Sequence, residues 1–268
     1  NFFLIKKLSD CIIVLLLIIM RLLLLFLFPV FAISQDVEIG KWKDYRSYNS
    51  ASYITEAENR IYCVTASGGL FYFNKDDYTI NRMSKVIGLS DVEIKRVGYS
   101  KELNVTVVIY KNCNIDLIKN NKIINISDIK RKEIVGEKSI NNITVEGNIA
   151  YLSSSFGLIL LDINKEEIKN TYQVGEEGVL FEINGCALIG DSVVVATNNG
   201  LFFAKTNNPN LNDYNNWQNL KIFQSEGVFE NIVSSGSKIL ADTSSEMTSI
   251  SFNNGLFVTT FDSVIIVS

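Results

Sequence analysis

Residues 149–162 read IAYLSSSFGLILLD, two apolar runs on either side of a short turn that ends in Gly157. Glycine adopts positive φ angles without a steric cost, so this pattern predicts two β-strands joined by a tight turn. The second run, residues 158–161, is apolar at every position. A strand with one wet face alternates apolar and polar residues, so we expect both faces of this strand to be buried.

The same pattern occurs four times along the chain. The copies cover residues 60–73, 107–118, 149–162 and 193–203. Their turn positions, which lie 45, 43 and 43 residues apart, are Gly69, Asn114, Gly157 and Gly200. Asparagine also tolerates positive φ, so Asn114 fits the same turn. A period of about 43 residues is typical of one propeller blade. The sequence therefore predicts an all-β fold, a β-propeller of antiparallel four-stranded blades.

The chain beyond the fourth copy departs from this pattern. A fifth unit begins near Gly236, but its turn glycine is missing, and Asn253-Asn254-Gly255-Leu256 comes late. Residues 35–268 hold a little over five periods, and residues 264–268 have the pattern of the middle of a strand. Closed propellers have about four to eight blades. We therefore expect an incomplete ring, a fragment of a larger propeller.

An apolar segment precedes the repeats. Residues 11–32 are almost wholly apolar and are interrupted by Arg21. Met20-Arg21 and the apolar run 22–28 resemble the charged and apolar regions of a secretory signal, and Ala32-Ile33-Ser34 supplies the small residues of a cleavage site. This pattern favours an exported protein.

The predicted organisation follows from that segment. We expect residues 1–34 to be a signal peptide or N-terminal apolar segment, cleaved so that the mature chain begins at Gln35. Residues 35–268 are then the propeller domain. An uncleaved membrane anchor is the alternative.

Composition excludes several classes of function. The chain has no histidine, which removes the side chain that most often acts as a general base or binds a transition metal. Its net charge of −4 gives no basic face for nucleic acid. Only carboxylate, Lys, Tyr, Ser or Cys chemistry remains open, and the lack of a convergent carboxylate pair disfavours a lyase or glycosidase. We therefore assign no catalytic residue, and we expect no metal, no cofactor and no nucleic-acid partner.

Three cysteines remain after the apolar segment, namely Cys63, Cys113 and Cys186. Their number is odd and their spacing is wide, so no disulfide framework is visible. Free cysteine usually behaves as a small apolar residue, which predicts burial in strands. A reactive thiol is the alternative.

Two acidic clusters and one basic run are candidate binding sites. Glu166-Glu167 and Glu176-Glu177 are candidates for a cation, but the spacing of a calcium loop is absent, which favours solvated loop charges. Lys130-Arg131-Lys132 is a candidate for a phosphate or an anionic sugar, with a solvated loop as the preferred interpretation.

Three aromatic residues precede the first repeat, Trp42, Tyr45 and Tyr48. They are candidates for stacking on sugars, although aromatics in this position more often seal the rim or core of a propeller. No ligand-binding residue is assigned from the sequence.

Five strings carry a resemblance to a known family, and the run Ile-Ser-Asp-Ile-Lys-Arg (residues 126–131) in particular lies outside the generic blade pattern. They lie within residues 42–220 and are residues 42–49 (WKDYRSYN), 88–91 (GLSD), 114–118 (NIDLI), 124–131 (INISDIKR) and 208–211 (NPNL). With these strings the chain resembles the N-terminal propeller of the PorZ family, components of the type IX secretion system that carry propeller repeats of the two-component-regulator type.

The resemblance implies a non-enzymatic scaffold at the periplasmic side or the surface of the outer membrane. It also implies two propellers followed by a sorting domain, work beside PorU, PorV and PorQ-like proteins, and delivery of anionic lipopolysaccharide to the sortase. Propellers of this type also occur in the periplasmic sensors of hybrid two-component systems, which is the alternative function. The sequence that follows residue 268 in the gene separates the two, because a sensor kinase needs a membrane span there.

Overall fold

The computed structural model describes residues 15–23, 43–120, 122–176, 179–220, 228–243, 247–253 and 256–260. Internal contacts divide the chain into two units, Asn1–Asp44 and Tyr45–Ser268. In the first unit residues 15–23 form a helix, α1. Within the described ranges no helix has the length and apolar character needed to cross a bilayer. The predicted cleavage site at Ala32-Ile33-Ser34 lies outside the described residues.

The second unit is built from consecutive four-stranded antiparallel sheets, the predicted blades. Blade 1 contains β1 (Ala51–Ala57), β2 (Arg60–Thr65), β3 (Leu70–Asn74) and β4 (Ile80–Met83). Blade 2 contains β5 (Ile94–Ser100), β6 (Val105–Tyr110), β7 (Ile115–Lys119) and β8 (Lys122–Ile126). Blade 3 contains β9 (Ile140–Glu146), β10 (Ile149–Ser154), β11 (Gly157–Asp162) and β12 (Glu167–Tyr172).

The last two blades follow a small two-stranded sheet, β13 (Gly175–Glu176) and β14 (Val179–Leu180). Blade 4 contains β15 (Ile183–Ile189), β16 (Ser192–Thr197), β17 (Gly200–Lys205) and β18 (Gln218–Asn219). Blade 5 contains β19 (Phe229–Ser235), β20 (Lys238–Thr243), β21 (Met247–Asn253) and β22 (Leu256–Thr260). The helical pieces between strands are short: α2 (Asp128–Arg131) and the 3-10 turns Lys85–Ile87 and Tyr214–Asn216.

The hydrophobic core lies between the blades. In β11, Leu158 and Leu160 pack towards blade 4, whereas Ile159 and Leu161 pack towards blade 2. Every residue of β11 is buried. The uninterrupted apolar run therefore reflects two buried sheet faces, as predicted.

Consecutive blades pack through their first strands, so β1, β5, β9, β15 and β19 lie innermost around a common axis. Among the described residues no packing of this kind joins blade 5 to blade 1. Ile54 of β1 is 62% exposed, whereas its equivalents Val97, Ile143, Cys186 and Ile232 are covered by the preceding blade. The five blades therefore form an open arc, which confirms the predicted incomplete ring.

The four turn positions of the repeat are structurally equivalent, but the prediction of a positive φ was wrong for two of them, Gly69 and Asn114. Gly157 and Gly200 begin the third strands of their blades at φ +134° and +112°, as expected. Gly69 and Asn114 occupy the same place in blades 1 and 2, yet neither has a positive φ. Their turns are one residue longer, and the positive φ lies on Gly68 and Cys113.

Blade 5 explains the irregular end of the repeat. Gly236 lies in the turn between its first two strands, at φ +62°. Asp242 pairs with Met247, so the next turn is longer than in blades 3 and 4. Asn253 pairs with Leu256, so that motif belongs to the turn between the third and fourth strands. Residues 264–268 lie outside the described residues.

Candidate functional site

A β-bulge recurs near the beginning of the first strand in all five described blades. At each bulge one residue is skipped by the pairing with the second strand. These residues are Ser52, Lys95, Asn141, Asn184 and Glu230. Bulges redirect side chains, and the first strands surround the propeller axis. The five residues therefore define one end of the axial channel, which we call the channel mouth.

Side chains at the channel mouth connect neighbouring blades. The amide of Asn141 donates to the carbonyl of Ile183 at 3.1 Å, and the amide of Asn184 donates to the carbonyl of Phe229 at 2.8 Å. The ammonium of Lys95 donates to Oδ1 of Asn141 at 3.2 Å. Each acceptor belongs to the next blade, so these bonds join blades 2 to 5 in sequence.

Glu182 extends this network. Its Oε1 accepts from the amide of Asn141 at 2.8 Å, and its Oε2 accepts from the amide of Asn198 at 3.4 Å. Oδ1 of Asn198 in turn accepts from Asn184 at 2.9 Å. The exposed carboxylate of Glu230, the last member of the channel mouth, is acceptor-only when ionised.

A cavity of about 510 Å³ opens beside the channel mouth, between blades 1, 2 and 3. Volumes of this order are typical of small-molecule sites. Its lining includes four cationic side chains and two carboxylates, together with the hydroxyls of Ser52, Ser67 and Ser139. The charged residues are Lys95, Arg96, Lys111, Lys138, Glu93 and Glu137. The lining thus has a surplus of positive charge in a chain whose net charge is −4.

A second cavity of about 320 Å³ is lined by the innermost strands of blades 1, 3, 4 and 5 and by the second and third strands of blade 5. Tyr53, Asn142, Thr144 and Asn231 contribute polar groups to its wall. Because residues from four blades reach it, this cavity lies along the propeller axis.

A polar cluster lies at one corner of blade 2 and is centred on the fully buried carboxylate of Asp116. This carboxylate accepts from the hydroxyl of Tyr110, from the backbone N–H of Ser90 at 2.8 Å and from the amide of Asn125 at 2.8 Å. Burial, together with the bond to Asp116, raises the pKa of the Tyr110 hydroxyl. The hydroxyl therefore remains a donor.

Asp91 lies at the same corner. It accepts from the ammonium of Lys130 at 2.6 Å, from the amide of Asn112 at 2.7 Å and from the backbone N–H of Val92 at 2.9 Å. Burial disfavours the charge on Asp91, but these donors outweigh it and hold the pKa of Asp91 at about 2.

Three of the five strings that carry the family resemblance meet at this corner. Residues 88–91, 114–118 and 124–131 are far apart in the chain, but hydrogen bonds join Ser90 to Asp116 and Asn125 to Asn114. The shared sequence therefore stabilises the hairpin of blade 2.

The candidate basic run has partners within the chain. Lys130 is ion-paired with Asp91, and Arg131 lies 2.7 Å from Asp128. Lys132 is exposed. Two of the three positive charges are thus already paired with carboxylates. The run lies at the surface, but the predicted loop was wrong for Lys130 and Arg131, which belong to the short helix α2.

The candidate carboxylates do not converge. Glu167 begins β12 and Glu176 lies in β13 beyond its other end, about 20 Å away for a six-residue strand. Both are exposed, as is Glu166 just before β12, but the predicted loop was wrong for Glu167 and Glu176, which lie in strands. Glu177 lies outside the described residues. Among the side chains that the structure describes, no group of three or more acidic or cysteine residues is placed to bind a metal ion.

The three cysteines of the propeller, Cys63, Cys113 and Cys186, are free and buried. Cys63 and Cys186 lie in strands, as predicted, but Cys113 occupies a turn at φ +63°. Burial raises the pKa of each thiol, to about 11 for Cys186. These environments disfavour the thiolate and hence the reactive-thiol alternative.

Of the candidate aromatics, Tyr48 packs against blade 1. Its ring lies 6.3 Å from that of Phe71 in an edge-on arrangement, and the guanidinium of Arg82 lies over it at 4.7 Å. Tyr48 therefore seals the blade. Tyr45 is 80% exposed, and Trp42 lies outside the described residues.

Sequence reasoning missed the channel mouth, although a weak signal for it exists. In blades 2 to 5 a polar residue directly follows the apolar residue that begins the first strand, as in Ile94-Lys95 and Ile183-Asn184. Ser, Lys, Asn and Glu share no chemistry beyond polarity, so residue type alone gives no indication of a repeat.

The fold and the channel mouth define a β-propeller. A family model described as the type IX secretion system PorZ N-terminal β-propeller domain matches residues 61–218. The chain therefore belongs to the PorZ N-terminal propeller family. No curated protein sequence matches it significantly.

Solved structures show the same fold. PorZ of Porphyromonas gingivalis, described as an essential surface component of the type IX secretion system, is 22% identical with a TM-score of 0.71. The extracellular domain of a putative hybrid two-component system from B. thetaiotaomicron is 15% identical with a TM-score of 0.59. These matches cover 82% and 81% of this chain respectively, and the chain spans 29% of each of the two structures.

Proposed function

We propose that this chain is a non-enzymatic binding module of a type IX secretion apparatus and acts at the outer-membrane surface. The observation that carries the proposal is the family match over residues 61–218. The resemblance of the fold to PorZ, a surface component in P. gingivalis, supports it. The absence of histidine supports a binding role over a catalytic one.

The proposed partners are PorU, PorV and PorQ-like proteins together with anionic lipopolysaccharide for transfer to the sortase. The positive surplus in the cavity beside the channel mouth supports an anionic ligand. Electrostatic complementarity favours the encounter of such a ligand with this face.

Deletion of the gene in its native host tests the proposal. We expect cargo proteins to remain unattached to the surface and to regain attachment when the full-length gene is restored. Cross-linking of the full-length protein in membranes is expected to recover the three partner proteins. Normal attachment of cargo in the deletion strain would contradict the proposal.

The alternative function is the sensor domain of a hybrid two-component system, which the likeness to the B. thetaiotaomicron domain supports. A sensor is expected to continue into a membrane span and a kinase, whereas a secretion component is expected to continue into a sorting domain. Sequencing the gene beyond residue 268 distinguishes the two. In a sensor, deletion would change the transcription of a small set of genes and leave cargo attachment intact.

A further inference from the structure

Two adjacent cations of β5 lie side by side at the channel mouth. In a regular strand, neighbouring side chains point to opposite faces. The bulge at Lys95 breaks this alternation, and both Lys95 and Arg96 line the 510 Å³ cavity. Nη1 of Arg96 donates to the carbonyl of Lys95 at 2.9 Å, and its guanidinium lies over the ring of Tyr53 at 5.1 Å. Among the described residues, the Lys95 ammonium bonds to the amide oxygen of Asn141 alone. Both groups therefore have neutral acceptors.

The carboxylates of Glu137 and Glu182 act on Lys95 electrostatically, but from beyond ion-pair distance. Within the described parts of the chain, no carboxylate forms an ion pair with Lys95 or Arg96. Both side chains are half-buried, and Nε of Arg96 is shielded from solvent without a hydrogen-bond partner. Burial lowers the pKa of Arg96, and burial followed by the charge of Arg96 lowers the pKa of Lys95. Buried charges are ordinarily paired, so this arrangement favours the binding of an anion.

The rest of the cavity is compatible with an anion. The ammonium of Lys138 is already occupied by the backbone carbonyls of Ile129, Lys130 and Lys132. Lys111, Glu93 and Glu137 are exposed at the rim. Exposed carboxylates are screened by water and oppose a bound anion less than buried ones do.

We propose that Lys95 and Arg96 bind one carboxylate or phosphate group of a small ligand or a glycan at the channel mouth. A guanidinium matches the geometry of either group, and the hydroxyls of Ser52 and Ser139 line the same cavity. The proposal rests on the proposed function only for the source of the anion, which is either the secreted polysaccharide or a free metabolite.

Titration calorimetry on the full-length protein tests the site, with inorganic phosphate and glucuronate as probes, glucose as the neutral control and constant ionic strength. We expect both anions to bind and glucose not to bind. Arg96→Gln and Lys95→Gln are each expected to weaken binding by about tenfold or more, since charge-assisted hydrogen bonds are the strong ones. Lys169→Gln and Arg131→Gln, which change exposed cations elsewhere, are expected to change it less than about twofold.

Thermal melting separates loss of the site from loss of the fold. Saturating phosphate is expected to raise the midpoint of wild type but not that of Arg96→Gln. Without phosphate, Arg96→Gln is expected to melt close to wild type, because the loss of the contact with Tyr53 is offset by the removal of a half-buried charge. Arg96→Lys keeps the charge without the planar fork, and we expect it to bind more weakly than wild type.

The outcomes are distinguishable from those of the proposed function. Binding of phosphate or glucuronate that depends on Arg96, without binding of anionic lipopolysaccharide, would support the anion site. The same result would contradict its role in binding the polysaccharide. If the lipopolysaccharide binds wild type and Arg96→Gln equally, the function stands and the polysaccharide is not the ligand of this site. Loss of binding in Arg131→Gln, or no binding of either small anion, overturns the site.

Discussion

Blade 2 and blade 3 close the same hairpin by different means. In blade 3 the second and third strands are joined by two residues, and Gly157 begins the third strand at φ +134°. In blade 2 the turn has three residues, and Cys113 takes the positive φ just before Asn114. The blade 3 hairpin depends on the conformational freedom of glycine. The blade 2 hairpin depends on side-chain hydrogen bonds to Asp91 and Asp116.

The difference shows that the turn lies at the same position in each repeat but is stabilised by different interactions. Asn114 occupies the place of a glycine, but its amide oxygen accepts from Asn125 at 3.0 Å, and it is buried. Its contribution is therefore a polar contact. Changes at equivalent positions are expected to have unequal effects.

The largest effect is expected for Gly157→Ala. A Cβ at this position would overlap the carbonyl oxygen of Tyr172, and the φ is unfavourable for any other residue. Together these are expected to cost about 3 kcal/mol or more in the free energy of unfolding. Denaturant titration of the purified chain measures this loss.

Gly200→Ala is the matched control for Gly157→Ala. The backbone there is equally unusual, at φ +112°, but the nearest atom to a new Cβ is 3.8 Å away. Only the strain of the backbone remains, which is expected to cost about 1–2 kcal/mol. Equal losses of unfolding free energy in the two variants would show that the steric overlap with Tyr172 contributes nothing.

Asp116→Asn tests the polar hairpin of blade 2. The substitution places an amide nitrogen among groups that are themselves donors, including the hydroxyl of Tyr110 and the N–H of Ser90. A buried donor without an acceptor is expected to cost about 2–3 kcal/mol. Thermal melting measures this loss. A melting midpoint equal to that of wild type would mean that the hairpin does not depend on the carboxylate.

Asp91 is expected to give the hairpin of blade 2 a dependence on pH. Its pKa in the folded protein, about 2, lies below the usual value of an aspartate. Its contribution to stability is therefore complete above the unfolded pKa, about 4, and is lost as pH falls through 2. Asp91→Asn is expected to lose about 1–2 kcal/mol at pH 7 and to match wild type near pH 2. A difference between the two proteins that stays constant from pH 7 to pH 2 would contradict this.

The smallest effect is expected for Cys113→Gly. Glycine relieves the positive φ but removes a buried side chain, and the two effects are of similar size, about 1 kcal/mol each. Asn114→Gly gives no such relief and is expected to be the more destabilising of the pair. Chemical denaturation measures the unfolding free energy of both variants. A larger loss in Cys113→Gly than in Asn114→Gly would contradict the assignment of the backbone strain to Cys113.

The blade architecture was predictable because its signals are local. Gly157, Gly200 and the uninterrupted apolar run of β11 each reflect a backbone or burial requirement that few residue types meet. Blade 5 was harder because its second turn is longer and holds no glycine at the expected place. The pairing of Asn253 with Leu256 shows that a correct turn signal was assigned to the wrong turn.

The channel mouth was not predictable from the pattern. A bulged residue is skipped by the strand ladder, so neither alternation nor turn chemistry restricts its type, as Lys95, Asn141 and Glu230 illustrate. The clustering of Lys95 and Arg96 also depends on the bulge, since adjacent residues of a regular strand point apart. Only the pairing register reveals it.

The order of the strands also has a consequence for the folding kinetics. Within every blade each strand pairs with the strand that precedes it in the chain, so most pairings close short loops. Short loops cost little entropy to close, and hairpins form within microseconds. We therefore expect each blade to assemble early from local contacts, with docking of the first strands as the slow step. Amide exchange is then expected to report opening in units of one blade.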